Sequence, residues 1–191
     1  MTSQHAGQSF SDYARLSPDL VIDAIEHTGR LSDARVFALN SYENRVYQVG
    51  IEDELPLVAK FYRPGRWSDA QIREEHSFTR ELAAAELPVI APIANADGET
   101  LFGYGDYRFA LFQRKGGQGL EAGDLDQLHR VGMLLGRVHQ IGRQQPFNQR
   151  PVLDVERYLT QPVRQVEACL PAHLLAAYRA VIAQLRTLIQ A

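Results

Sequence analysis

One lysine of this sequence lies where a charged side chain is costly. Lys60 falls inside the run 57–62, Leu-Val-Ala-Lys-Phe-Tyr, whose apolar composition is typical of a β-strand. Burial of its ammonium group costs free energy unless a partner or a ligand uses the charge. The alternative is a lysine on an edge strand whose stem extends to solvent. A strand lysine beside a carboxylate can instead bind phosphate oxygens, and we expect that chemistry here.

Glu75 is the carboxylate that the next predicted helix turns toward this lysine. Successive helical residues are rotated by about 100°, and Ile72 is taken as the residue that faces the sheet. Glu75 and His76 then lie on the side of Ile72, whereas Glu74 and Glu81 lie on the opposite, solvent side. We therefore predict that Lys60 and Glu75 approach within ion-pair distance.

The connection between the first two predicted strands is a second candidate for phosphate binding. Backbone N–H groups of a tight turn can bind anions. An ordinary hairpin turn is the alternative, because asparagine tolerates a left-handed backbone. The loop also lacks the glycines of a G-x-G-x-x-G motif; its residues are Ser41, Tyr42, Glu43 and Asn44.

The segment before the glycine-rich stretch 116–119 is a third candidate. Its backbone donors and acceptors would suit a purine base, although a buried strand followed by a flexible linker has the same composition. The residues concerned are Phe112, Gln113, Arg114 and Lys115.

Other chemical motifs lead to no catalytic or metal site. The glycines at 116–119 are not followed by Gly-Lys-Ser/Thr, so they do not form a phosphate loop of the Walker type. His129 and His139 do not share a helical face, and no cysteine joins them in a zinc-like cluster. Cys169 has no evident histidine and acid partners and is interpreted as an inert cysteine.

Composition restricts the class of protein. The 191 residues carry a net charge of −3, which argues against a nucleic-acid partner or an anionic membrane surface. The single cysteine cannot form an internal disulfide, the polar segment 1–8 lacks a signal-peptide pattern, and no apolar run approaches the ~20 residues of a membrane span. We expect a cytoplasmic protein.

Hydrophobic periodicity predicts an α+β fold with a β-rich first part and a helical second part. A helix begins near residue 18, and a second runs from a capping box at Ser68 and Gln71 to about Ala85. Strands are predicted at 36–39, 46–51, 57–62, 99–103 and 107–113. The glycine-rich stretch 116–119 is interpreted as a linker or hinge. After it, helices are predicted at 125–142, after Asp154 and from Pro171, and Gly132 and Gly136 would allow close approach of a neighbour. The predicted domains are 1–115 and 116–191.

Two long segments resemble the stress response kinase A family of bacterial Ser/Thr protein kinases, in the choline kinase and aminoglycoside phosphotransferase superfamily. They are 39–48, Leu-Asn-Ser-Tyr-Glu-Asn-Arg-Val-Tyr-Gln, and 60–67, Lys-Phe-Tyr-Arg-Pro-Gly-Arg-Trp. Shorter matching segments are 71–76, 88–92 and 135–140. The resemblance implies a protein-kinase-like fold, with an antiparallel β-sheet N-lobe, one packed helix and the first helices of an α-helical C-lobe. It also implies ATP with Mg²⁺, a cytoplasmic location and a role in surviving envelope and oxidative stress.

Carried over by position, the resemblance assigns four roles. Residues 41–44 would form the nucleotide loop, Lys60 would hold the phosphates, Glu75 would orient Lys60, and residues 112–115 would bind adenine.

The sequence departs from this family in one large respect. The family's catalytic loop has the form His-Gly-Asp and a further aspartate binds the metal, but the sequence holds no His-Gly-Asp, no glycine after Gly142 and no aspartate after Asp154. We therefore assign no catalytic or metal residue, and expect the N-terminal part of a kinase, inactive by itself and prone to self-association through its last apolar helix. The alternatives are a naturally short protein, a small-molecule phosphotransferase acting on choline, aminoglycoside or homoserine-like substrates, or a noncatalytic nucleotide-sensing or interaction module.

Overall fold

The computed structural model describes residues 13–117, 119–121 and 123–190. The polar N-terminal segment 1–8 and Gln118 of the predicted hinge lie outside the described residues. The chain divides into two compact units, Met1–Gln149 and Arg150–Ala191, and each is described by itself.

A five-stranded antiparallel sheet is the centre of the first unit, as the α+β prediction required. The spatial order is β1-β2-β3-β5-β4. The strands are β1 (Ser32–Leu39), β2 (Arg45–Ile51), β3 (Leu57–Tyr62), β4 (Phe102–Tyr104) and β5 (Tyr107–Gln113). All neighbouring pairs are antiparallel.

The two faces of the sheet contact different helices. Alternation along β3 turns Leu57, Ala59 and Phe61 to one face, where they are buried in the main apolar core. Helix α1 (Pro18–Glu26) contributes Val21, Ala24 and Ile25 to the same core; the side chain of Ser17 caps this helix by accepting the N–H of Leu20 at 3.2 Å. Val58, Lys60 and Tyr62 consequently lie on the opposite face.

Helix α2 (Asp69–Ala84) covers part of that opposite face. The capping box predicted at Ser68 and Gln71 is present, with both reciprocal hydrogen bonds formed. Ile72 is 1% exposed and packs with Tyr62 and Ala110 of the sheet, so the inward phase of α2 is the predicted one. This phase fixes where the neighbouring polar residues of α2 point.

Strand β1 is longer than predicted because a bulge lies within it. The predicted strand began at residue 36, but β1 begins at Ser32, and its register with β2 shifts between Ser32 and Val36. Ala34 has φ = 64°, and Asp33 accepts the backbone N–H of Arg35 at 3.0 Å. Residues 32–35 are held by local side-chain hydrogen bonds and not by alternating apolar side chains, so the hydrophobic pattern could not predict this part of the strand.

Strand β4 begins three residues later than predicted and ends one residue later, so it is shorter than predicted. The prediction was 99–103, whereas β4 spans Phe102–Tyr104. The side chain of Asn95 accepts the backbone N–H of Glu99 at 2.8 Å, and Asn95 N donates to the Glu99 carbonyl at 2.9 Å. Glu99 is thus held in a loop closed by Asn95 and does not pair with β5.

Helix α3 (Leu125–Gly142) completes the regular structure of the first unit and ends where predicted. Gly132 and Gly136 would allow close approach of a neighbour, but among the described residues none approaches: outside the helix's own backbone and chain neighbours, nothing lies within 4 Å of a Cβ built at either position. Contact with α2 occurs instead at the last turns, where Arg137 donates to the Ala85 carbonyl at 3.1 Å. Several apolar side chains of α3 remain exposed.

The second unit is helical, as predicted. A π-helical turn (Glu156–Thr160) leads into α4 (Gln161–Glu167), and α5 (Ala172–Gln190) follows. Arg179 donates to Glu167 at 2.9 Å, which joins α5 to α4. Large apolar side chains of α5 are exposed among the described residues: Leu174, Val181, Leu185, Leu188 and Ile189.

Candidate functional site

The ion pair predicted from helical phase is present. Lys60 Nζ lies 2.8 Å from Glu75 Oε1, a distance at which the ammonium donates a charge-assisted hydrogen bond. The side chains are 23% and 34% exposed, so the pair is accessible to a ligand from solvent while both stems are packed. The prediction that these two residues meet is therefore confirmed.

An aromatic ring also contacts the lysine ammonium. Residues two apart on a strand share a face, so Tyr62 lies beside Lys60, and Lys60 Nζ is 4.6 Å from the centroid of its ring. A cation over a ring face is attracted by the ring's negative face. Lys60 thus has one carboxylate and one ring as neighbours, and both restrict where its charge lies.

Buried hydrogen bonds hold that ring. The hydroxyl of Tyr62 is 2.7 Å from Nε2 of His76, and Nδ1 of His76 is 2.8 Å from Oγ1 of Thr100. All three residues are buried. The helical phase placed His76 on the inward side of α2, but sequence reasoning gave it no role; a histidine beside an inward glutamate was the available signal.

Glu74 was predicted to face solvent, and this prediction is wrong. It is half-buried and accepts the backbone N–H groups of Asn148 and Gln149, with Gln149 N 3.0 Å from each carboxylate oxygen. The helical phase was correct, but the chain after α3 returns to cover this side of α2, which a local pattern cannot show. Glu81 is exposed, in agreement with the prediction.

The loop 41–44 is tied to the rest of the site through Glu43. Its Oε1 accepts the indole N–H of Trp67 at 2.8 Å and lies 3.6 Å from Arg66 Nε, while its carbonyl accepts the hydroxyl of Tyr13 at 3.1 Å. The carboxylate therefore fixes the loop against the segment that joins β3 to α2. This leaves the backbone of the loop, rather than Glu43, as the part suited to anions.

The remaining loop residues differ in exposure. Ser41 is exposed, and Tyr42 is fully exposed at the tip of the loop. Asn44 is half-buried, and its Oδ1 is buried without a hydrogen-bond donor among the described residues. A buried acceptor without a donor is costly, and a bound hydroxyl or water would satisfy it.

Beside Lys60 the sheet presents an apolar surface that α2 leaves open. Strand register places Val46 directly opposite Lys60, Leu39 opposite Val46, and Phe112 opposite Val58. Phe37 and Leu39 are 57% and 39% exposed, and the other members are half-buried. We call this surface the apolar floor; it consists of Phe37, Leu39, Val46, Val58 and Phe112.

The third predicted segment borders the apolar floor at one end. Phe112 belongs to the floor, whereas Gln113 and Lys115 are exposed. Arg114 Nε donates to Gln48 Oε1 at 2.7 Å, and Gln48 lies on the same sheet face as Val46 and Val58. The structure thus brings Lys60, Glu75 and Phe112 to one face of the sheet, and Ser41–Asn44 form the loop at the end of β1 and β2. Gln113 pairs with Leu57, so its side chain lies on the opposite face and the structure does not bring it to Lys60. Lys115 is exposed beyond the end of β5.

The arrangement can bind a ligand that is flat and apolar at one end and anionic at the other. The apolar floor would take the flat part, and the Lys60 ammonium would neutralise the anion. No group of three or more His, Cys, Asp or Glu that could hold a metal ion occurs among the described residues. Within the same residues, no helix is long and apolar enough to cross a membrane.

The fold and this site define the kinase-like class of proteins. A five-stranded antiparallel sheet with a lysine on β3 paired to a glutamate on the following helix is the arrangement of the N-terminal lobe in that class. Comparison with known families agrees: residues 34–191 match the model of the phosphotransferase enzyme family APH, and the chain belongs to that family.

Within the family, the chain is similar to bacterial stress kinases. It is 45% identical over 168 residues to Serine/threonine protein kinase RdoA of Salmonella typhimurium strain LT2, covering 87% of this chain and 51% of the relative. It is 44% identical over 168 residues to Stress response kinase A of Escherichia coli strain K12, with the same coverage of 87% and 51%. The chain thus spans about half the length of the curated relatives it matches.

Solved structures support the fold. A microcompartment-associated aminopropanol kinase superimposes with a TM-score of 0.61 at 19% identity, over 78% of this chain and 48% of that one. The amicoumacin kinase hAmiN, in complex with AMP-PNP, Ca²⁺ and Ami, superimposes with a TM-score of 0.57 at 20% identity, over 81% and 49% of the two chains. At these identities the likeness concerns the fold alone.

Proposed function

We propose that this chain is the nucleotide-binding part of a bacterial stress-response Ser/Thr protein kinase that uses ATP. The Lys60–Glu75 pair beside the apolar floor carries the proposal, because it joins a cation for phosphates to a surface for a base. The 45% identity to a kinase named for Ser/Thr protein substrates favours that acceptor class over small molecules.

The residues of the site divide the work of holding ATP. Lys60 would neutralise phosphate oxygens, and Glu75 would keep its ammonium in place. The backbone of loop 41–44 would contact phosphates, while the free acceptor of Asn44 would take a hydroxyl or water donor. The apolar floor and the backbone of 112–115 would bind adenine. ATP itself supplies the transferable phosphoryl group.

Mg²⁺ does not fit the described residues of this chain. They contain no suitable cluster of three ligating side chains, and the sequence lacks the His-Gly-Asp motif. We propose that the metal-binding and catalytic residues belong to the half of the relatives' length that this chain does not span. A cytoplasmic location, where ATP is present and Cys169 stays reduced, completes the proposal.

Nucleotide binding can be tested with the two lysines of the sequence. The sequence contains two lysines, Lys60 and Lys115, and eighteen arginines, which do not react with amine-acylating reagents. Acylation followed by peptide mass spectrometry therefore measures each lysine separately. ATP should slow acylation of Lys60 in a concentration-dependent way. The side chain of Lys115 is exposed and its proposed contact with adenine is through the backbone, so its acylation should change far less and serves as the internal reference. Equal labelling of Lys60 with and without ATP would contradict the proposal.

Phosphate transfer by the isolated chain is a second test. With radiolabelled ATP, Mg²⁺ and a generic basic protein, we expect no label above a Lys60→Ala control, since Lys60 supplies only part of the required charge stabilisation. Lys60-dependent labelling would show that the 191 residues suffice for catalysis.

Light scattering should also report self-association, because apolar side chains of α3 and α5 are exposed; a clean monomer would favour a self-sufficient short protein.

A further inference from the structure

Tyr62, His76 and Thr100 form a continuous chain of hydrogen bonds, the Tyr62–His76–Thr100 relay. The residues are 3%, 2% and 6% exposed, and the two contacts measure 2.7 and 2.8 Å. We propose that this relay positions Lys60: it fixes the tyrosine ring against which the lysine ammonium lies, so that the ammonium is held in place before a nucleotide arrives. The inference rests on the proposed function, in which Lys60 contacts phosphate.

The geometry couples the relay directly to the ion pair. Glu75 and His76 are consecutive on α2, and Lys60 and Tyr62 are two apart on one face of β3. The helix therefore contacts the strand through two adjacent polar pairs, at 2.8 Å for Lys60–Glu75 and 2.7 Å for Tyr62–His76. A change in the setting of His76 would move Glu75 with it, since both belong to one helical turn.

Burial decides which of the two pairs sets the position. Water reaches the partly exposed Lys60–Glu75 pair and weakens its preference for one geometry. The contacts of His76 are buried, where leaving a donor or acceptor unsatisfied is far more costly. The relay is consequently the more rigid of the two, and it holds the ring of Tyr62 where that ring, together with Glu75, restricts the position of the Lys60 ammonium.

The two ring nitrogens of His76 have separate partners, which allows the relay to be divided experimentally. Nε2 contacts Tyr62 and Nδ1 contacts Thr100. A glutamine side chain places its terminal amide near the position of Nε2, whereas asparagine places it near that of Nδ1. His76→Gln therefore retains a partner for Tyr62, and His76→Asn retains one for Thr100.

The experiment measures acylation of Lys60 relative to Lys115 in the absence of nucleotide. Tyr62→Phe and His76→Asn should each raise the ratio, by roughly fivefold, which is the order that loss of one buried hydrogen bond supports. His76→Gln should keep the ratio within about twofold of the parent chain, because the Tyr62 hydroxyl keeps a partner. Thr28→Val is the matched control, since it removes a 2.6 Å bond to the Ile25 carbonyl away from the site.

Two results would overturn the inference. One is that Tyr62→Phe and His76→Asn lower the melting temperature but leave the Lys60/Lys115 ratio at the parent value, as a merely structural role predicts. The other is that His76→Gln and His76→Asn raise the ratio equally. The proposed function is judged separately, by ATP protection of Lys60 in the parent chain, so either idea can fail alone.

Discussion

Replacing Glu75 by glutamine should separate a positioning role from a structural one. The substitution removes the charge from the carboxylate that lies 2.8 Å from Lys60 Nζ but keeps the shape of the side chain. Because the two side chains are 23% and 34% exposed, the pair ranks with partly solvated ion pairs, which contribute about 0–1 kcal/mol. The free energy of unfolding of Glu75→Gln, measured by urea denaturation, should therefore fall by about 1 kcal/mol or less.

The effect on nucleotide binding should be larger. A misplaced Lys60 would lose its charge-assisted hydrogen bond to the phosphate, and a bond of that kind is worth roughly 1.5–3 kcal/mol, which corresponds to about a 10- to 150-fold rise in Kd. ATP titration with protection of Lys60 from acylation provides the Kd, and Lys115 corrects for reagent concentration. Glu81→Gln is the matched control, because Glu81 lies on the same helix and is exposed.

The opposite pattern would refute this reasoning. If Glu75→Gln lowered stability by more than about 3 kcal/mol, as loss of one partner of a fully buried pair does, while the Kd stayed within about twofold, the pair would be structural. The role of Glu75 in orienting Lys60 would then be abandoned.

Three further predictions concern the scaffold. Gly50→Ala places a Cβ 2.0 Å from Asp33 Oδ1 and should lower the free energy of unfolding by about 1–3 kcal/mol; an equal loss when Asp33→Ala is also present would contradict the clash. Ser68→Ala should cost about 1 kcal/mol in the same urea assay, because it removes the α2 cap; no change would show that the cap is dispensable. The hydrogen bond from Arg179 lowers the pKa of Glu167. The pair therefore stabilises the folded state at pH values above the unfolded-state pKa of Glu167, and this contribution is lost as the pH falls through the lower, folded-state pKa. Arg179→Gln should flatten that acid-side decline in an unfolding-versus-pH series, and an unchanged decline would exclude the pair as its source.

The central pair could be predicted because its determinants are local. The apolar run around Lys60 specifies a strand, the capping box at Ser68 fixes where α2 begins, and about 100° of rotation per residue then turns Glu75 inward. The inward burial of Ile72 depends on the same phase. Each step uses residues within one element, and strand-to-helix packing supplies the rest.

The features that could not be predicted depend on contacts between distant segments. Glu43 and Trp67 are 24 residues apart, and Glu74 meets Gln149 across 75 residues. No periodicity marks such pairs, since each partner alone looks like an exposed polar residue. Asn95 shows the local version of the limit: its side-chain bonds to the backbone replace the pairing that the strand pattern of residue 99 suggested.

Helix α2 explains why so much of the site depends on one short segment. Glu74, Glu75 and His76 are consecutive, and helical rotation directs them to three different surroundings: the backbone at Gln149, the ammonium of Lys60 and the buried relay. A rotation of α2 large enough to release Glu75 from Lys60 would also remove His76 from its buried partners and Glu74 from two backbone donors. Losing all three contacts together costs more free energy than losing the ion pair alone. The position of the Lys60 ammonium is therefore maintained by the packing of the whole helix and not by the carboxylate of Glu75 alone.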